Sequence, residues 1–90
     1  MRAGRIFQDE EIVVVNIGKR GLTESVLREI DNVLRARGVV KVKLLKSFRE
    51  STELTREEVA EMLAKALNAE VIGVRGFVIA LRRETEKRRA

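Results

Sequence analysis

From Glu11 to Ile17 the chain reads Glu-Ile-Val-Val-Val-Asn-Ile, an almost unbroken β-branched run. β-Branched side chains suit a pleated backbone, and near-continuous apolarity predicts a central strand covered on both faces. The period then changes. Over Leu22–Arg37, Val26, Leu27, Ile30, Val33 and Leu34 recur at helical spacing. Thr23 is placed to cap this helix, Leu22 to staple onto Leu27, and Gly38 to end it in a left-handed conformation. Val39–Lys46 alternates, with Val40, Val42 and Leu44 on one side and Lys41, Lys43 and Leu45 on the other. Ser47–Leu54 reads as a polar connection holding one aromatic, Phe48.

A second helix is predicted after Leu54. Thr55 and Glu58 have the spacing of a capping box, and Leu54 and Val59 that of a staple. Val59, Met62, Leu63, Ala66 and Leu67 form its stripe, and Asn68 lies near its end. Glu70–Val74 and Phe77–Arg82 are short strand-like runs around Arg75-Gly76, which predicts a hairpin with Phe77 in the core. The order is β-α-β-α-β-β. The fold class expected is a two-layer α/β (α+β) domain, a four-stranded mixed sheet packed by two helices. The first crossover is expected to be right-handed and its strands parallel. Residues 1–83 form one domain, opened by an irregular lead-in over 1–10, and residues 84–90 a basic tail.

Composition narrows the chemistry. The 90 residues contain no cysteine and no histidine, and three aromatics, all phenylalanine. Disulfides, thiolate or imidazole metal sites and His-based nucleophile pairs are therefore excluded. We expect no enzyme, no metal, no cofactor and no small-molecule substrate. No apolar run nears the roughly 20 residues of a membrane span, and acids arrive too early for a signal peptide. A cytoplasmic location and no membrane partner are expected. Charged residues make up 37% of the chain, and Glu24–Arg28, Asp31–Arg35 and Glu61–Lys65 are spaced for ion pairs on helix surfaces. With few labile residues, this balance is the one seen in heat-stable proteins.

The net charge of +5 is segregated. Residues 18–46 carry +5 and residues 71–90 carry +4, while residues 47–70 carry −3. Such a division predicts one face that meets polyanion and one that does not. The densest chemistry lies in Ile17-Gly18-Lys19-Arg20-Gly21-Leu22-Thr23, between the first strand and the first helix. Glycine lets a backbone approach a ligand closely, and a helix N-terminus offers free N–H groups to an anion. Lys19 is a point charge for phosphate, whereas the Arg20 fork can grip phosphate or stack on a base. The ordinary alternative for Gly18–Gly21 is a tight turn that needs glycine for its dihedrals.

This loop, with the Val40-Lys41-Val42-Lys43 strand and the Gly76–Arg83 strand, resembles the CRM domain. This is the chloroplast RNA splicing and ribosome maturation family, with YhbY-like proteins as its bacterial single-domain members. The resemblance covers roughly residues 12–83. It implies a fold similar to the C-terminal domain of translation initiation factor 3 and a G-x-x-G loop comparable to that of KH domains. It also implies RNA binding. For stand-alone members it implies association with ribosomal precursor RNA and a pre-large-subunit particle. Two departures stand out. The family usually opens with a helix, where Met1–Asp9 shows no helical pattern. Its last strand often carries Tyr-Arg, where this chain has Arg82-Arg83.

The residues expected to contact RNA are Gly18, Lys19, Arg20, Gly21, Thr23, Arg28, Lys41, Lys43, Arg82 and Arg83. The ordinary reading of Arg28 is its helix-surface pair with Glu24, and that of the lysines a solvated strand face. Phe48 is expected to anchor its loop to the core. Two other readings remain open at this point. An Alba-like protein that coats DNA or RNA shares the element order and a basic Ile-Gly-Lys start. A protein-interaction module could use the acidic helix bearing Glu57, Glu58 and Glu61.

Overall fold

A computed structural model describes residues 12–84. The irregular lead-in, the absence of an opening helix and most of the basic tail concern residues outside that range.

Strand β1 (Val14–Ile17) leads into helix α1 (Glu24–Arg37), which returns to strand β2 (Val39–Leu44). A short helix α2 (Lys46–Ser51) and helix α3 (Arg56–Leu67) follow, then the hairpin β3 (Glu70–Arg75) and β4 (Val78–Arg82). The four strands form one sheet in the order β1-β2-β4-β3. β1 and β2 are parallel, as a crossover through a helix requires, and the other pairings are antiparallel. The mixed α+β sheet read from the sequence is the one observed.

The caps follow from side-chain chemistry. The Thr23 hydroxyl accepts from the Val26 N–H at 3.1 Å. Gly38 ends α1 at φ 80°, and its N–H donates to the Leu34 carbonyl. At α3 the capping box is complete: the Thr55 hydroxyl accepts from Glu58 N–H at 3.1 Å, and Thr55 N–H donates to the Glu58 carboxylate at 2.8 Å. Asn68, at φ 51°, ends that helix. The three helix-surface ion pairs form, at 4.0 Å for Glu24–Arg28, 3.7 Å for Asp31–Arg35 and 3.2 Å for Glu61–Lys65.

The main core lies between the helices and one sheet face. Val15, Ile17, Val40, Val42, Ile79 and Leu81 supply the sheet side, and Ile30, Leu34, Val59, Leu63 and Leu67 the helical side. Phe48 anchors α2 into the same core. A smaller cluster of Ile12 and Ala80, flanked by Val39 and Ile72, occupies the opposite face.

The structure corrects four details. β1 is an edge strand, and Val14 is 48% exposed, so its apolar run does not mark a central position. The segment after β2 is not all connection, because α2 forms over residues 46–51. Met62 and Ala66 lie exposed, and Ala60 takes the buried place instead. Phe77 stands 45% exposed at the hairpin tip, beyond the edge of the core.

Candidate nucleic-acid interface

The sheet has two unlike ends. β1 and β2 run parallel and finish at the same end, where Ile17 is in register with Leu44. β4 runs the other way, so its start is beside Leu44, whose N–H donates to the Phe77 carbonyl at 2.8 Å. The glycine loop, α2 and the β3–β4 hairpin tip therefore meet at this end.

The loop is a closed turn. Gly21 N–H donates to the Gly18 carbonyl at 2.9 Å, and Thr23 N–H to the Gly21 carbonyl at 3.0 Å. This geometry pushes Lys19 and Arg20 out to the tip, where both are exposed. The two glycines have different reasons to be there. Gly21 sits at φ 75°, a left-handed conformation that a side chain resists. Gly18 lies outside that region. A Cβ placed on it would meet Ser47 Oγ at 3.5 Å and Leu45 Cδ1 at 3.6 Å, ordinary contact distances. The fold alone thus demands glycine at 21 and not at 18.

Beneath the loop, Leu45 N–H donates to the Ile17 carbonyl at 2.9 Å, which joins the start of α2 to the loop's base. The Phe48 ring lies 3.7 Å from where a Gly21 Cβ would stand. An aromatic of the core is therefore the floor of the loop. Lys46 is exposed at the start of α2, and Arg49 and Arg56 are exposed farther toward the hairpin tip. These three cations were not among the sequence-derived candidates. Only the unpredicted helix α2 and the hairpin register bring them to this end.

The remaining candidates divide. Thr23 is at the loop, with its hydroxyl oxygen engaged as the α1 cap. Arg28 is exposed one turn along α1 and pairs with Glu24. Lys43 is exposed on the face of the sheet away from the helices, in register with Asn16 and Val78. Lys41, on the same face, is only 9% exposed. It stands in register between Val14 and Ala80 and is buried, so it is not the solvated neighbour of Lys43 that alternation implies.

Arg82 and Arg83 lie at the other end of the sheet. Arg82 is in register with Val39, five strand positions from Leu44, or about 17 Å at strand rise. Its guanidinium reaches the Glu70 carboxylate across the hairpin at 3.2 Å. Arg83 is committed inward. It donates to the Leu67 carbonyl at 2.6 Å and the Asp31 carbonyl at 3.2 Å, and pairs with the Asp31 carboxylate at 2.8 Å. Its charge satisfies the end of α3 and a turn of α1. Arg83 thus stands at the end of the sheet away from the loop, with its guanidinium engaged by Leu67 and Asp31.

A pocket of 380 Å³ opens between α2, the start of α3 and the hairpin tip. Phe48, Phe77, Arg49, Leu54 and Glu57 are among its walls. The Arg49 guanidinium lies 3.8 Å from the centroid of the Phe77 ring. A hydrogen bond from Arg56 holds the Glu57 carboxyl below its ordinary pKa, helped by a backbone hydrogen bond. Among the described residues no group of three acids could hold a metal ion.

This arrangement defines a class: a two-layer α+β domain whose exposed, doubly basic strand-to-helix turn crowns one end of the sheet. The CRS1 / YhbY (CRM) domain model matches residues 9–83, and the chain belongs to that family. A probable RNA-binding protein of Methanocaldococcus jannaschii is 45% identical over 73 residues, covering 81% of this chain and 52% of its own. The chain thus spans about half the length of that relative. An RNA-binding protein of Haemophilus influenzae is 32% identical over 74 residues, covering 82% of this chain and 71% of its own. A Staphylococcus aureus protein solved in solution, described as a candidate RNA-binding protein, has a TM-score of 0.64 at 25% identity. That match covers 99% of this chain and 95% of the other.

Proposed function

We propose that this chain is a non-enzymatic RNA-binding protein that grips RNA backbone through the Gly18–Gly21 turn, and that its RNA is a ribosomal precursor bound during large-subunit maturation. The observation that carries the reading is the turn itself. Two exposed cations stand at its tip, between one glycine the dihedrals demand and one they do not. An unneeded glycine at 18 leaves room for a phosphate to come against the backbone. Lys19 and Arg20 supply charge, and Lys43 and Lys46 extend the field along the same end. Membership of a family whose relatives are named as RNA-binding proteins supports the same assignment.

Phosphate contacts release counterions, so affinity should fall steeply with salt. The test is RNA affinity across a salt series for the unmodified protein and for Lys19→Asp/Arg20→Asp. Both side chains are exposed, so the variant should stay folded. Its affinity should drop and its salt slope should shallow by roughly 1 to 2. An unchanged slope would reduce the loop to a turn. Co-sedimentation with pre-large-subunit particles tests the finer assignment, and competition by duplex DNA tests an Alba-like role.

A further inference from the structure

We infer that the pocket between α2, the start of α3 and the β3–β4 hairpin tip receives an unstacked base of the RNA held by the glycine loop. The inference rests on the RNA reading above and adds a second recognition element to it. The pocket and the loop share Phe48. That ring lies 3.7 Å from where a Gly21 Cβ would stand, and the same residue lines the pocket. The turn bearing Lys19 and Arg20 and the pocket therefore pack on the same aromatic, which makes them neighbours at this end of the sheet.

The walls suit a flat heterocycle. Phe77 is the exposed aromatic among the described residues, and the Arg49 guanidinium carbon lies 3.8 Å from its ring centroid. Aromatic rings and guanidinium planes are the two protein surfaces on which splayed bases stack. Leu54, also exposed, faces the same opening and supplies an apolar edge. The pocket's volume of 380 Å³ is in the range of small-ligand sites and accommodates one base ring. The Glu57 carboxylate, which accepts from Arg56 Nε at 2.9 Å, also lines the pocket and can accept from a base N–H.

Phe77 is also costly where it stands. A large aromatic left 45% exposed at a hairpin tip does little for the core, while Arg56 donates to the adjacent Gly76 carbonyl at 2.8 Å and steadies the tip. The hairpin tip is thus a fixed platform that presents the ring. Stacking on it is tolerant of base identity, which fits a protein that also grips backbone.

The experiment uses the full 90-residue chain and two probes, a ten-nucleotide oligoadenylate and an abasic ribose-phosphate chain of equal length. The unmodified protein should bind the oligoadenylate about tenfold tighter than the abasic chain. Phe77→Ala should remove most of that difference and leave the abasic affinity and the salt slope unchanged. Saturation transfer between the Phe77 ring protons and adenine protons should be seen in the unmodified complex. A thermal melt of Phe77→Ala, compared with Phe77→Leu, separates loss of the ring from loss of fold. Equal binding of both probes by the unmodified protein, or an equal loss for both probes in Phe77→Ala, overturns the pocket while leaving backbone binding intact. Binding of neither probe overturns the pocket, while the RNA reading stands or falls separately on the salt series with Lys19→Asp/Arg20→Asp.

Discussion

Replacing Arg83 by alanine should destabilise the fold and spare RNA binding, the reverse of what its place in a basic run suggests. The side chain is 21% exposed and joins three elements. It makes one ion pair with Asp31 and hydrogen bonds to the carbonyls of Asp31 and Leu67. Hydrogen bonds to a charged group contribute about 1.5–3 kcal/mol each when shielded, and partial exposure discounts that. Removing the guanidinium also leaves the Asp31 carboxylate with Arg35 alone, at 3.7 Å and mostly in solvent. The net expectation is a loss of about 2–3 kcal/mol, or roughly 10–20 °C in Tm for a domain of this size. Urea unfolding of the single variants and of Arg83→Ala/Asp31→Ala measures it, with a coupling energy of about 1 kcal/mol expected for the pair. Arg82→Ala is the control. Its cross-strand pair with Glu70 is exposed and should be worth about 0.5 kcal/mol or less. RNA affinity of Arg83→Ala, measured well below its Tm, should stay within about twofold, a shift of ~0.4 kcal/mol. A stability change under about 0.5 kcal/mol together with a severalfold loss of RNA affinity would refute the assignment.

The two loop glycines should separate stability from binding. Gly21→Ala forces a side chain to φ 75° and should cost about 1 kcal/mol, read from urea midpoints. Gly18→Ala should leave the midpoint within a few tenths of a kcal/mol, since its Cβ meets only ordinary contacts, and on the proposed close approach of phosphate to this backbone it should weaken RNA binding. A Gly18→Ala variant with unchanged affinity would show that phosphate does not come against that carbon. Thr55→Ala should remove both capping-box bonds and cost about 1 kcal/mol, with the α3 amides near Glu58 exchanging faster. An unchanged exchange rate there would show that packing, not the box, holds the first turn.

Much of this protein was determined locally. Thr23, Gly38, Thr55 and Glu58 set helix ends through bonds spanning a few residues, and each forms as its spacing requires. The alternation of Val40, Val42 and Leu44 chose the buried side of β2 in the same way. The glycine loop was legible because its turn, its charges and the following cap are contiguous in the chain. Tertiary structure decided whatever depends on strand order and strand direction. An apolar run does not say whether its strand has one neighbour or two, so β1 could read as central and prove to be an edge. Arg82-Arg83 and Lys19-Arg20 are equally basic in sequence, yet antiparallel pairing of β4 with β2 sends them to opposite ends of the sheet. Burial then turned Arg83 inward, because the carbonyl of Leu67 and the carboxylate of Asp31 converge on it from helices α3 and α1. Phe77 is the converse. Its local pattern marks a strand, but the hairpin register carries it one step past the end of the core, where it is half exposed and the Arg49 guanidinium lies over its ring.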